Sequence, residues 1–163
     1  MRVAADLDRY LNRKAGKNVL LVVVPGYEAP NALAYAVART KDLGGKLVAL
    51  SVLDPDAHQQ VSSTLSNVGF VGGRVREDLV EALAKEQRVF AEMQLQQAAD
   101  EARRQGLECT VLIEEGDPSE ACARVARQHA IGLAVLVAER RSWVTRFLSR
   151  SAPVRLPAFA GCE

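Results

Sequence analysis

Residues 109–137 read CTVLIEEGDPSEACARVARQHAIGLAVLV: a strand, a turn, a helix and a second strand, with a local physical cause at each boundary. Thr110 to Ile113 is a short apolar, partly β-branched run, as a buried parallel strand requires. It stops at Glu114-Glu115-Gly116. Asp117 is placed to cap a helix, Pro118 suits the first helical position, and Glu120 stands where a capping-box carboxylate would reach back. Behind that start, Cys122, Val125, Ala126 and His129 recur at i, i+3, i+4 and i+7 and make one apolar stripe. Ile131 to Ala138 is again an apolar run, to be buried on both faces. Two parallel strands joined by a helix form a right-handed crossover unit. The expected fold class is therefore α/β, a mostly parallel twisted sheet with helices on both faces.

The same order recurs nearer the N-terminus. Asn18 to Val24, NVLLVVV, is a β-branched apolar run that ends at Pro25-Gly26. From Asn31 the pattern turns helical, with Leu33, Ala34, Val37 and Ala38 on one side, and Leu43-Gly44-Gly45 closes it. Leu47 to Leu53, LVALSVL, is the second strand, ended by Asp54-Pro55. The expected strands are thus 18–24, 47–53, 107–114 and 131–138. Residues 56–73 are Ser-rich and then Gly-rich and suit a surface connection. Gly69, Gly72 and Gly73 match neither G-x-G-x-x-G nor G-x4-G-K-[ST], so a plain loop is favoured over a phosphate cradle. Arg74 to Gln105 is the longest helical pattern. Its Leu79, Leu83, Phe90 and Met93 share a face, with Ala82 and Val89 beside it, and the stripe is expected to pack in the core. Residues 1–17 carry Val3, Leu7 and Leu11 at spacing four, which fits either a docked amphipathic helix or a frayed extension preceding a domain over 18–163.

Composition narrows the function classes. A chain of 163 residues with 48% apolar and 25% charged residues is ordinary for one globular domain. A net charge of +1 makes no case for nucleic acid. No run approaches a membrane span or the apolar centre of a signal peptide, so a cytoplasmic protein without membrane insertion is expected. Cys109, Cys122 and Cys162 lack a Cys-x-x-Cys spacing, and the first two fall at strand or helix core positions. Buried reduced thiols are the expectation, and with only His58 and His129 available no metal site is expected.

The segments EEGDPSEACARVARQHAIGLAVLV and KLVALSVLDP resemble the second and first halves of a universal stress protein domain. That resemblance implies an adenine nucleotide alpha hydrolase-like fold, a role in stress response and self-association. Nucleotide-binding members carry G-x2-G-x9-G-[ST] after the fourth strand, where glycines let the backbone close on phosphates and a helix start supplies donors. Laid on this chain without a gap, the pattern falls on Val137, Arg140, Arg150 and Ser151. Only the hydroxyl of Ser151 is kept. ATP-binding members also carry an aspartate at the end of the first strand, where this chain has Pro25, which offers neither an acceptor nor a backbone N–H. Val52 matches the hydrophobic position that usually meets the adenine. The same register places Cys162 at the start of the motif opening the family's fifth strand, one residue before the chain stops at Glu163. A missing fifth strand is therefore expected, which puts the family's usual homodimer in question and leaves both a truncated and a naturally short chain open.

In the tail, Arg140, Arg141, Arg146, Arg150 and Arg155 surround Trp143 and Phe147. A solvated basic helix anchored by its aromatics is favoured over an anion clamp. No reacting constellation is present in sequence, since Ser151 has no histidine near it and Glu114, Glu115 and Asp117 suit a capped, solvated turn. The leading expectation is a non-catalytic stress-response or regulatory domain without a cofactor, acting through a protein partner or as a homo-oligomer. Two alternatives remain. One is a sensor of ATP, another adenine nucleotide or another anion, using Arg140, Arg150 and Ser151; the other is the soluble regulatory domain of a transporter.

Overall fold

The computed structural model describes residues 16–26, 28–55, 73–136 and 159–161. Its elements alternate as the two crossover units require: β1 (Asn18–Val23), α1 (Pro30–Leu43), β2 (Leu47–Leu53), α2 (Gly73–Arg104), β3 (Cys109–Glu115), α3 (Pro118–Gln128), β4 (Ile131–Leu136) and β5 (Phe159–Gly161). All strands pair in parallel, in the order β3-β2-β1-β4-β5.

The pleat sends alternate residues to two cores. Val19, Leu21, Leu47 and Ala49 face α1 and α2, together with Leu95, Ala98 and Ala102. Leu20, Val22, Val48 and Leu50 face α3 through Cys122, Val125 and Ala126. Central β1 and β2 are nearly continuous apolar runs because helices cover both of their faces. The glycine stops act alike: Gly44 and Gly106 adopt φ of 64° and 72°, and the following residues donate to Thr40 and Ala102 carbonyls, closing the helix ends. At the amino ends of the strands, Asn18 joins the two halves. Its Nδ2 donates to the His129 carbonyl at 2.7 Å, and its Oδ1 accepts from the Lys46 backbone N–H at 2.9 Å.

Three expectations are corrected. The sheet has a fifth strand: Phe159, Ala160 and Gly161 pair with Ala134, Val135 and Leu136. Three residues are too few to show a period in sequence, yet they occupy part of the backbone edge that β4 would otherwise present. β3 is half-buried rather than fully buried, with Val111 at 45% exposure, because among the described residues it forms the opposite edge and pairs with β2 alone. The expected core stripe of α2 is exposed at Leu79, Val89, Phe90 and Met93. The residues that α2 buries are Ala91, Leu95, Ala98 and Ala102, a mostly small-residue face that lets the helix lie close on the sheet. Residues 1–15 and 56–72, for which an N-terminal extension and a surface connection are expected, lie outside the described residues.

Candidate functional site

In a parallel sheet, ligands sit outside the carboxyl ends of the strands where the order reverses. Here that point lies between β1, whose crossover leads to β2, and β4, whose continuation leads to β5. The β1 side is apolar: Val23, Val24 and Pro25 are half-buried. Gly26, at φ 80°, turns the chain toward Glu28 and the start of α1. That helix start has Ala29 at the cap without a side-chain cap bond, Pro30 in the first turn and no acidic residue there. It offers little polar chemistry of its own.

The neighbouring strand ends are polar but internally matched. Val52 is half-buried, packs against the core beneath α3 and stands in register with Glu114. The Glu114 carboxylate accepts from Arg124 Nη2 at 2.7 Å, and Glu115 pairs with Arg88 of α2. Asp117 Oδ1 accepts from the backbone N–H groups of Ser119 at 2.9 Å and Glu120 at 3.0 Å. The acidic turn is thus an N-cap with two ion pairs, as the capping reading expects, and Arg88 and Arg124 are partners that sequence spacing could not reveal.

Further hollows flank the sheet, the largest of those described, about 670 Å³, lying along α2 beside Gly26, Phe90 and Met93. One of about 370 Å³ lies between α1 and α2 over Leu21 and Val23, with Glu28, Gln97 and Arg104 on its rim; Arg104 is paired with Glu101 at 3.2 Å. Another, about 300 Å³, lies beyond Leu53 and Pro55, where Lys85 and Arg88 face Glu81 and Glu115. The opposed charges there balance one another. The described thiols are both free: Cys122 is buried, and burial pushes its pKa up to about 12, with Asp117 adding to the rise. Cys109 is half-buried and its pKa is likewise raised by burial. Among the described residues no group of three metal-ligating side chains converges, and no helix is long and apolar enough to cross a membrane.

The order 3-2-1-4-5, the glycine-ended first helix and the Gly-Asp-Pro start of the third coincide with a family model: residues 16–156 match the universal stress protein family. The chain belongs to that family. This universal stress protein is similar in fold to one from Burkholderia pseudomallei, with 22% identity, TM-score 0.61, and 91% of this chain and 96% of that one covered. It is also similar to UspA from Lactobacillus plantarum, at 18% identity and TM-score 0.63 over 90% and 97% of the two chains. A third relative, from Archaeoglobus fulgidus, is 15% identical with TM-score 0.56, covers 90% and 97%, and was solved in complex with dAMP. No curated protein sequence matches the chain.

Of the residues expected to form a degenerate nucleotide site in this universal stress protein, Val52 sits at the carboxyl end of β2, near the reversal point. Val137, Arg140, Arg150 and Ser151 lie outside the described residues. The ungapped register that selected them places the opening of the fifth strand at Cys162, whereas the strand occupies Phe159–Gly161. The register therefore does not hold through to the end of the chain, because spacing after β4 in this chain differs from the pattern laid on it.

Proposed function

We propose that this universal stress protein domain is a non-catalytic stress-response or regulatory module that has lost conventional ATP binding and acts through protein contacts, without a cofactor. The observation that carries the reading is Pro25. It stands at the carboxyl end of β1, at the reversal point, in a half-buried apolar segment. An aspartate there would accept from a ribose hydroxyl; proline has no side-chain acceptor and no N–H to offer. The acidic groups on the neighbouring strand ends are bound to arginines and to a helix start, so they do not replace it.

The test is thermal unfolding of the purified chain with and without ATP and magnesium. No shift is expected. A clear shift that disappears in Arg140→Ala and Arg150→Ala would overturn the reading and establish the second one, a nucleotide or anion sensor. That second reading is favoured by the dAMP bound to the Archaeoglobus fulgidus relative.

A further inference from the structure

We infer that the groove between α1 and the C-terminal half of α2 is a docking site for a basic amphipathic helix of a partner protein; the inference rests on the protein-contact reading and names its surface and the partner's chemistry. The hollows of about 370 Å³ and about 670 Å³ form one continuous groove, since Glu28, Gln94, Gln97 and Arg104 line both. Its floor is apolar, made by Leu21 and Val23 of β1, Leu33 of α1 and Ala98 of α2. Along α2 it reaches from Phe90 to Arg104, a rise of about 21 Å. Phe90 and Met93 stand at one end, exposed at 40% and 62%, so the groove presents apolar surface at its mouth as well as on its floor.

Charge specifies the kind of partner. The walls carry four carboxylates, Glu28, Glu92, Asp100 and Glu101, against one guanidinium, Arg104. That guanidinium is held by Glu101 at 3.2 Å, and Asp100 accepts from Arg103 and from Gln96, each at 2.9 Å. Glu28 and Glu92 have no ion pair or hydrogen bond among the described residues. The hollow beyond Leu53 and Pro55 is the contrast, because its two acids face two bases and leave no net charge. An occupant of the groove must therefore bring apolar side chains for the floor and cations for Glu28 and Glu92. An anionic membrane or a nucleic acid is repelled. A small organic cation fills only part of a trough this long, whereas a helix of about fourteen residues spans it. Two helices flanking an apolar floor make a seat for a third, whose anchors at i, i+4 and i+7 point down while its Lys or Arg residues meet the acidic walls.

Fluorescence anisotropy tests the groove, with the full chain titrated into a labelled amphipathic helix of Leu and Lys, about 18 residues long. Saturable binding in the micromolar range is expected. Glu28→Lys combined with Glu92→Lys should weaken it about a hundredfold and Met93→Asp about tenfold, with each variant keeping the parental thermal midpoint. Glu81→Lys, in the balanced hollow, and Glu120→Lys, on α3, should leave it unchanged, and the same peptide with Glu in place of Lys should not bind. Equal weakening by Glu81→Lys would reduce the effect to overall charge, and binding of the Glu peptide would reduce it to apolar adhesion. A peptide held as tightly by the Glu28→Lys, Glu92→Lys double variant would lie elsewhere. Binding gained only when residues 1–15 are removed would mean that a segment of the same chain fills the groove. Any of these, or no binding at all, overturns the inference, whereas an ATP-induced thermal shift would instead overturn the protein-contact reading and leave the peptide result standing.

Discussion

The two halves of α2 carry comparable apolar content and opposite fates. In the C-terminal half, Ala91, Leu95, Ala98 and Ala102 are buried. In the N-terminal half and just past it, Val75, Leu79, Val89, Phe90 and Met93 remain exposed. Position decides the difference: from Gly73 to Phe90 no residue is buried, Ala82 included, and from Ala91 onward the side that meets the sheet is lined mostly by small residues. A helix lying flat on a parallel sheet approaches it most closely through small residues, so three alanines and one leucine face Leu21, Ala49 and their neighbours. The larger side chains, which look more like core in the sequence, are carried away from it. A periodic apolar stripe thus reports that a helix has something to bury, without saying against what.

The largest effect that would sharpen this contrast is at Leu95. Leu95→Ala leaves a cavity between α2 and the sheet and is expected to cost about 2–4 kcal/mol, against less than about 0.5 kcal/mol for Leu79→Ala measured on the monomer. Equal losses in chemical denaturation would break the distinction. Next, Ala98→Leu overpacks the close approach and is expected to cost about 1–3 kcal/mol, whereas Ala82→Leu on the outer half should be tolerated.

A smaller effect separates the α3 core from both halves of α2. The Cys122 thiol has its pKa raised from 9.0 to about 12 in the native chain. The unfolded chain loses this proton near pH 9 while the native chain retains it, so the stability it contributes is complete below pH 9 and declines as pH rises toward 12. Between pH 9 and 10 that decline is about 1 kcal/mol, and Cys122→Ala should remove it from the pH dependence of the denaturation midpoint. Smaller still is Asp117→Ala, which frees two backbone N–H groups at the start of α3 and is expected to cost about 1 kcal/mol or less. Hydrogen exchange offers a comparison without substitution: amides from Gly73 to Phe90 should open before those from Ala91 to Arg104.

Much of the fold was legible because its signals are local. NVLLVVV and LVALSVL read as strands since both of their faces are covered, and Gly44, Gly106 and Asp117 read as punctuation since each acts within a few residues. Less of the site was legible. Pro25 could be placed at a strand end, but the ion pairs Arg124–Glu114 and Arg88–Glu115 join residues ten and twenty-seven positions apart. Phe159–Gly161 gave no periodic signal, because a three-residue strand is identified only by the β4 edge it meets.

The chain by itself determined the sequence of strands and helices, their stops and the parallel crossovers, because hydrophobic period, capping and glycine geometry are properties of neighbouring residues. Only the tertiary structure decided which strand became the half-exposed edge, that a fifth strand closes on β4, and which side of α2 meets the sheet. Those outcomes depend on what stands opposite each element in space. A period in sequence carries the angle between side chains and carries nothing about the surface they face.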